Sequence, residues 1–585
     1  MSPERTSMDF RLLVWRIFMM VGLFLLVGGL YSFQVAQADR YVKLATDNRL
    51  RFIRIPPPRG VIYDANGLSL AENVRTFDIK GYPLDLSKEG VFSRIAVLFQ
   101  RHGIPFTEED LARSCDRQFW APFRAVTLVS NLTLSQVADL VTDPEFVPQL
   151  FPFPVWRRIY PAGPLAAHVT GYVGEITREE LQQRGDQGYL GGDQLGKAGI
   201  ERFYEEQLRG QAGEEAVEVD ARGRRLRQID YRPPAPGADI RLTLDLGAQR
   251  VAAELMSGRR GVLLAMDVHT GALRVFYSSP TYDVNPLTWG VSPSEWGKLV
   301  NDPDRPMLNR AIGGVYPPGS VFKVVPALLG LASGTVTAST TVHCPGYMNL
   351  GDRTFRCWQR WGHGRENLVT AIRDSCDVYF YQLGLWLGAD ALVSFAERFG
   401  IGQLTGVDLP GEVEGTAAGR EWKKRRLNES WYQGDTVNYS IGQGFLLMTP
   451  LQVARMAAVV ANGGKLVTPH FAEGHSASVT DLQLPQEALR LVRKGLEEVV
   501  RTGTGKPAGA FGVEIAGKTG TAQNAHGEDH AWFFGYAPAK DPKLVAVALV
   551  EGGGKGSSVA GPLVAELLAY LCLGERRGNE GRGGQ

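Results

Sequence analysis

Residues 17–33 are apolar and carry no charge, and this run decides in which compartment the rest of the chain folds. About 20 residues of helix cross a bilayer core, so the run with its flanks is long enough for one crossing. Arg5, Arg11 and Arg16 precede it, and basic residues ahead of a first span hold the N-terminus in the cytoplasm. The expected layout is a cytoplasmic tail at 1–16, a transmembrane anchor at 17–35 and everything beyond it outside the membrane. A cleaved export signal is the alternative, because Ala36-Gln37-Ala38 has the small-residue pattern of a cleavage site. Either way the bulk of the chain is exported. No second run of spanning length follows, so a single pass through the cytoplasmic (inner) membrane with the bulk in the periplasm is expected.

The exported part divides by pattern. Residues 36–238 are irregular, with Pro-rich and Arg-rich passages such as Ile55-Pro56-Pro57-Pro58-Arg59 between short strands and helical stretches. Proline cannot donate to a sheet ladder, so these read as extended edges and turns. The stretch is expected to be an extended, non-catalytic α+β pedestal. It ends at the linker 233–237, Pro-Pro-Ala-Pro-Gly. Residues 239–573 then alternate strand and helix patterns as a compact α/β domain: 261–266 and 273–277 flank a turn at Thr270-Gly271, 511–515 reads as strand-like, and a strand at 543–550 precedes a closing helix. Residues 574–585 are polar and Gly-rich, a disordered tail by composition. The 63 basic and 62 acidic residues leave a net charge of +1, which offers no basic excess for nucleic acid.

Three short motifs fall in order within the second half. Ser320-Val321-Phe322-Lys323 follows Tyr316-Pro317-Pro318-Gly319, a turn that puts Ser320 at the start of a helix. Residues i and i+3 share a helix face, so the Lys323 amine stands beside the Ser320 hydroxyl. A serine needs such a base to become a nucleophile, and a lysine is a base only where burial and nearby cations lower its pKa. Ser375-Cys376-Asp377 heads a second helical pattern, and Lys518-Thr519-Gly520-Thr521 comes near the end. Each motif is weak alone. Their order, their spacing and the export of the domain agree independently.

Together the motifs resemble those of the penicillin-recognising serine enzymes. Over nearly its whole length the chain is similar to the class B penicillin-binding proteins. Arg59-Gly60-Val61-Ile62-Tyr63-Asp64, Arg158-Ile159-Tyr160-Pro161 and Gly199-Ile200-Glu201 resemble that family's pedestal, and Ser440-Ile441-Gly442-Gln443-Gly444 its second half. Ser-x-Asp at residues 375–377 resembles the elongation type, whereas the division type usually carries Ser-x-Asn. The resemblance implies a penicillin-binding, serine β-lactamase-like fold, an antiparallel sheet flanked by helices. It implies a D,D-transpeptidase that cross-links peptidoglycan stem peptides, bound to lipid-linked or nascent glycan, and is blocked by β-lactams. Ser320 would attack with Lys323 as base, and Ser375 would relay a proton near the positive Lys518. The backbone N–H groups of Ser320 and Thr521 would form the oxyanion hole. Thr519, Gly520 and Thr521 would line the carboxylate site, and Asp377 would orient its loop or a substrate amide. No cofactor is implied for catalysis. A RodA-like glycan polymerase and other elongation-complex proteins are the implied partners. The rival readings are a division-type transpeptidase, a carboxypeptidase or β-lactamase that passes the acyl group to water, and a β-lactam sensor.

Cys344, Cys357, His363 and Cys376 cluster while Cys115 and Cys572 lie far away. Three thiolates and an imidazole suffice for a tetrahedral structural Zn²⁺. Relatives of the elongation type are similar here, with Asp, His and Cys ligands. A Cys344–Cys357 disulfide with Cys376 free is the alternative in an oxidising compartment. His168 is expected to be a packing or hydrogen-bonding residue, and His530 is read chiefly as structural.

Overall fold

The computed structural model describes residues 3–41, 50–88, 90–116, 125–219, 225–475, 478–524 and 527–574. From residue 575 onward the expected tail lies outside them. Helix α1, Pro3–Tyr31, continues into a π-helical turn, Ser32–Ala36. Residues 10–36 of this helix are long and apolar enough to cross a membrane, with a mean hydropathy of 2.2. The segment expected as a separate tail is the start of the same helix. Pro3 suits a first turn, and neither glycine nor proline follows before residue 17 to stop it.

The chain forms two compact units and passes between them repeatedly. One comprises residues 1–58, 74–157 and 210–237, and the other residues 59–73, 158–209 and 238–585. The stretch expected as one pedestal is thus split, and two parts of it belong with the motif-bearing residues. Packing explains the split. Ile62, Leu70, Tyr160 and Ile200 are buried in the same hydrophobic core as Val321 and Phe322.

A buried charge network joins those parts. Glu201 accepts hydrogen bonds from Arg59 Nε at 2.5 Å, Arg158 Nε at 2.6 Å and the Tyr160 hydroxyl at 3.2 Å. Glu205 accepts from Arg59 Nη2 at 2.6 Å, the Tyr189 hydroxyl at 2.9 Å and the Gly196 N–H at 2.9 Å. Burial favours the neutral acid, yet the two guanidiniums outweigh it and hold the Glu201 carboxyl below the usual range. His168 is buried nearby in sequence, its Nε2 at 2.8 Å from Pro306 O. Burial pushes its pKa down to about 4, so it is a neutral donor to that carbonyl, the hydrogen-bonding role expected of it.

The first unit contains a three-stranded antiparallel sheet in which Gly213–Val219 pairs with both Leu50–Ile55 and Arg225–Arg232. It also has a small α+β core, where Ile79, Val126 and Leu128 pack with Ile95, Phe99 and Leu111 of two helices.

The second unit is built on a five-stranded antiparallel sheet. Its strands are β1 (Gly261–Asp267), β2 (Leu273–Ser279), β3 (Ala516–Ala522), β4 (His530–Ala537) and β5 (Leu544–Val550), in the order β2-β1-β5-β4-β3. Alternate side chains go to opposite faces. Val262, Leu264, Val545 and Val547 join one hydrophobic cluster, while Leu263, Ala265, Ala546 and Ala548 join another. Helix α2 (Leu246–Leu255) and the C-terminal helix α8 (Ala560–Leu573) cover the second face. The first is covered by α6 (Pro450–Ala461) and α7 (Gln486–Arg501), whose cluster also takes in α3 (Val324–Ala332), α4 (Leu368–Arg373) and α5 (Asp377–Leu387). Residues 511–515, expected as a strand before the Lys-Thr-Gly motif, are not one. A 3₁₀ turn, Lys506–Phe511, is followed by Gly512 at φ +79°, which breaks any extended run, and β3 begins at Ala516. The strand therefore carries Lys518, Thr519, Gly520 and Thr521 itself.

Candidate active site

The turn that bears Ser320 is tighter than an α-helix. Gly319–Lys323 is a 3₁₀ turn that continues into α3, and three residues per turn stacks residues 320 and 323 one above the other. Gly319 has φ +56°, and a Cβ there would lie 2.9 Å from Thr521 O. Only glycine lets β3 come this close to the residue before Ser320. Gly520 is similarly confined, since its Cβ would fall 3.0 Å from Val321 Cγ1 and from Trp532 Cβ. The Gly319 N–H donates to Gly442 O at 2.8 Å, and Trp532 Nε1–H to Pro317 O at 3.1 Å, so the turn is held from both sides.

Ser375 sits between α4 and α5 at φ +54°, a left-handed conformation that costs a non-glycine residue about 1–2 kcal/mol. That conformation separates neighbouring side chains. Ser375 Oγ lies 3.3 Å from Lys323 Nζ, whereas Cys376 joins the other cysteines. Lys323, fully buried, donates to Ser375 O at 2.9 Å, Ser375 Oγ at 3.3 Å and Asp377 Oδ1 at 2.7 Å. An ammonium has three protons, and here all three have acceptors. Asp377 Oδ2 accepts the Trp358 backbone N–H at 2.9 Å. The carboxylate thus ties down the backbone at Trp358 and also holds Lys323, which the sequence did not suggest.

Lys518 is equally buried and donates to Thr519 O at 3.2 Å. Burial and then the charge of Lys323 push its pKa well below the ordinary lysine value, against the weaker pull of Asp377 and Asp374. Two lysines in a dry site cannot both stay charged at little cost, and Lys518 is the one that yields. Thr519 is buried with its hydroxyl 2.7 Å from that of Thr504, and Thr521 is exposed.

Cys344, Cys357, His363 and Cys376 come together as their clustering suggested, with all four ligand atoms within 4.8 Å of one another. His363 Nδ1 lies 3.7 Å from Cys344 Sγ and 3.5 Å from Cys357 Sγ. All five cysteines are free thiols, so the alternative Cys344–Cys357 disulfide is not formed. Hydrogen bonding from Cys376, with help from His363, pulls the Cys357 thiol down to about 2, while Cys376 and Cys344 are pushed up. His530 accepts the Gly552 N–H on Nδ1 at 3.2 Å and packs edge-on against Tyr316, a structural setting.

Sequence reasoning missed Trp358 and Thr504. Trp358 fastens the cysteine loop to the Ser375 segment through Asp377 and through Nε1–H to Asp374 O at 3.0 Å. Neither residue lies in a recognisable motif, and only the fold brings their partners near.

Comparison with known proteins agrees with this geometry. Residues 261–569 match the penicillin binding protein transpeptidase domain, and residues 54–242 the penicillin-binding protein dimerisation domain. The peptidoglycan D,D-transpeptidase MrdA of Haemophilus influenzae is 34% identical over 94% of this chain and 90% of its own. Penicillin-binding protein PBP2 of Helicobacter pylori, solved in complex with MreC, superposes with a TM-score of 0.81 at 33% identity, covering 90% of this chain and 99% of that one. A structure described as a peptidoglycan synthase complex coordinating polymerization and crosslinking gives 0.74 at 31% identity, covering 96% and 98%. With its three motifs gathered at one buried lysine pair, and relatives matching it almost end to end, the chain belongs to the class B penicillin-binding proteins of the elongation type, serine-type peptidoglycan D,D-transpeptidases.

Proposed function

We propose that cross-linking runs through an acyl-enzyme on Ser320. Its Oγ attacks the carbonyl carbon of the penultimate D-alanine of a donor stem peptide. The C–O bond forms, the peptide C–N bond breaks, and terminal D-alanine leaves with a proton relayed by Ser375. An acceptor amine from a second stem peptide then attacks the ester and releases Ser320. The N–H groups of Ser320 and Thr521 stabilise the oxyanion. One observation carries this reading: the Lys323 amine is gathered by Ser375 and Asp377 on the side of the turn that bears Ser320.

The electrostatics supply a base. Burial and the neighbouring Lys323 make Lys518 lose its proton readily. A substrate carboxylate bound at Thr519 and Thr521 adds negative charge near Lys518 and raises its pKa again. Lys323, one 3₁₀ turn from Ser320, is placed to serve as the base that takes its proton. A β-lactam, which brings its own carboxylate, triggers the same step. Mass spectrometry of the purified protein with benzylpenicillin should show one drug molecule added, mapping to Ser320. Intact drug and unmodified, folded protein would contradict the assignment, and destroyed drug would indicate a hydrolase.

Catalysis in this family needs no cofactor. For the Cys/His cluster we propose a structural Zn²⁺ held by Cys344, Cys357, His363 and Cys376. Donors on tetrahedral zinc lie about 3.5–3.8 Å apart, given bonds of about 2.0–2.3 Å, and the two His363 contacts fall in that range. His363 Nε2 and Glu366 Oε2 are both buried without a hydrogen-bond partner. A metal on Nδ1 makes Nε2 an N–H donor with a use for such a carboxylate. Purified protein should hold close to one zinc per chain by elemental analysis, and His363→Ala should lose most of it. Metal-free wild type with a mapped disulfide would end the proposal.

The basic residues ahead of the span favour a cytoplasmic N-terminus with the chain beyond the span in the periplasm. There the enzyme would draw on nascent glycan from a RodA-like polymerase and work with other elongation-complex proteins. The complex of the Helicobacter pylori relative with MreC supports such a setting.

A further inference from the structure

Thr504 lies in the segment between α7 and β3, outside the three motifs, yet it touches residues next to two of them. Its N–H donates to Arg373 O at 3.3 Å, and its hydroxyl could donate to the same carbonyl only over a long 3.5 Å, a far weaker use of its proton than the contact with Thr519. Arg373 closes α4, two residues before Ser375. The Thr504 hydroxyl also lies 2.7 Å from the Thr519 hydroxyl, a strong oxygen–oxygen contact and much the shorter of its two. Thr504 is half-buried and Thr519 almost fully buried, so few competing water molecules reach the pair.

A hydroxyl has one proton and two acceptor lone pairs. Between two hydroxyls only one proton can lie along the contact. If Thr519 donated to Thr504, its proton would be spent inside the protein and a lone pair would face the cleft. If Thr504 donates to Thr519, the Thr519 proton is free to point outward, and accepting a bond makes it a better donor. Only the second arrangement suits an anionic ligand.

We infer that Thr504 is a positioning residue, which donates its hydroxyl proton to Thr519 Oγ1 and so aims the Thr519 proton at the ligand's carboxylate. The inference rests on the carboxylate site proposed above. It adds a residue from the α7–β3 segment to carboxylate recognition and makes the hydrogen-bond direction between the two threonines the selective element. Thr504 itself does not touch the ligand.

The test compares acylation rate constants for benzylpenicillin and for its methyl ester, which lacks the negative charge. Thr504→Val keeps the shape and removes the hydroxyl, and Thr504→Ser keeps the hydroxyl. Thr504→Val should slow the acid about tenfold and the ester less than twofold, Thr504→Ser should stay near wild type, and Thr519→Val should show the same acid-selective loss. Equal slowing of acid and ester by Thr504→Val would mean a merely structural role and would overturn the inference, as would no slowing of either. Acid-selective loss in Thr519→Val alone would remove the positioning role but leave the carboxylate site standing. No acid-selective loss in Thr519→Val would remove the carboxylate site, and the inference with it.

Discussion

Ser320→Ala is expected to give no benzylpenicillin adduct and to lower cross-linking on the order of a millionfold, the scale seen when a serine nucleophile is removed. The loss should be chemical and not conformational. Ser320 is half-exposed, and the bonds that order the site run among Lys323, Ser375 and Asp377 without its Oγ. Alanine suits the 3₁₀ turn, so the melting temperature should stay within a few degrees of wild type. Any glycan-polymerase stimulation that survives in the variant would report a role of the chain separate from catalysis. An adduct of unchanged mass that maps to Ser375 would reassign the nucleophile.

Glu201→Ala should be the most destabilising single change. It leaves the Arg158 guanidinium buried without its carboxylate partner and strips Arg59 of one of two. Removing one member of a buried ion pair costs about 3–5 kcal/mol, because the remaining charge stays out of water. A fall of roughly 5 °C in the unfolding midpoint is the matching expectation. Penicillin acylation, measured well below that midpoint, should change little. The pH dependence follows from the lowered carboxyl pKa of Glu201. Its contribution is complete above the unfolded value of 4.5 and fades as pH falls through the lower folded value. Wild type should therefore lose its advantage over Glu201→Ala in acid. A constant difference across that range would contradict the ionic account.

What the sequence disclosed was local or had a fixed spacing. Ser320 and Lys323 announce themselves through a turn and one helical step, and the β1–β2 hairpin through Thr270-Gly271 between two apolar runs. The apolar stretch at residues 17–33 announces α1. The cysteines and His363 could be grouped because they lie close along the chain. Pairings set by tertiary structure stayed hidden. Arg59, Arg158 and Glu201 could each be matched to a family, but nothing in the sequence says that they meet. Asp377 looked like a loop-orienting group because its contact with Lys323 depends on the left-handed turn at Ser375, a conformation that serine does not advertise. The extended reading of 511–515 failed because Gly512 was not weighed as a breaker. Composition marks the change at 233–237, but it does not show that residues 59–73 and 158–209 pack into the second compact unit.

That interleaving has a consequence for synthesis. The catalytic unit begins at residue 59 but closes its sheet only when β5 arrives, since Gly261 pairs with Val550 and Asp267 with Leu544. Its earliest segments are made hundreds of residues before the strands that complete their core. Pairings so distant along a chain form slowly and leave apolar surface open meanwhile. A nascent chain stalled between residues 376 and 550 holds Ser320, Lys323 and Ser375 but has no finished sheet to bring Lys518 to them. Activity therefore arrives all at once, when the last strand is made, and a truncated product is inert toward the wall it would otherwise cross-link.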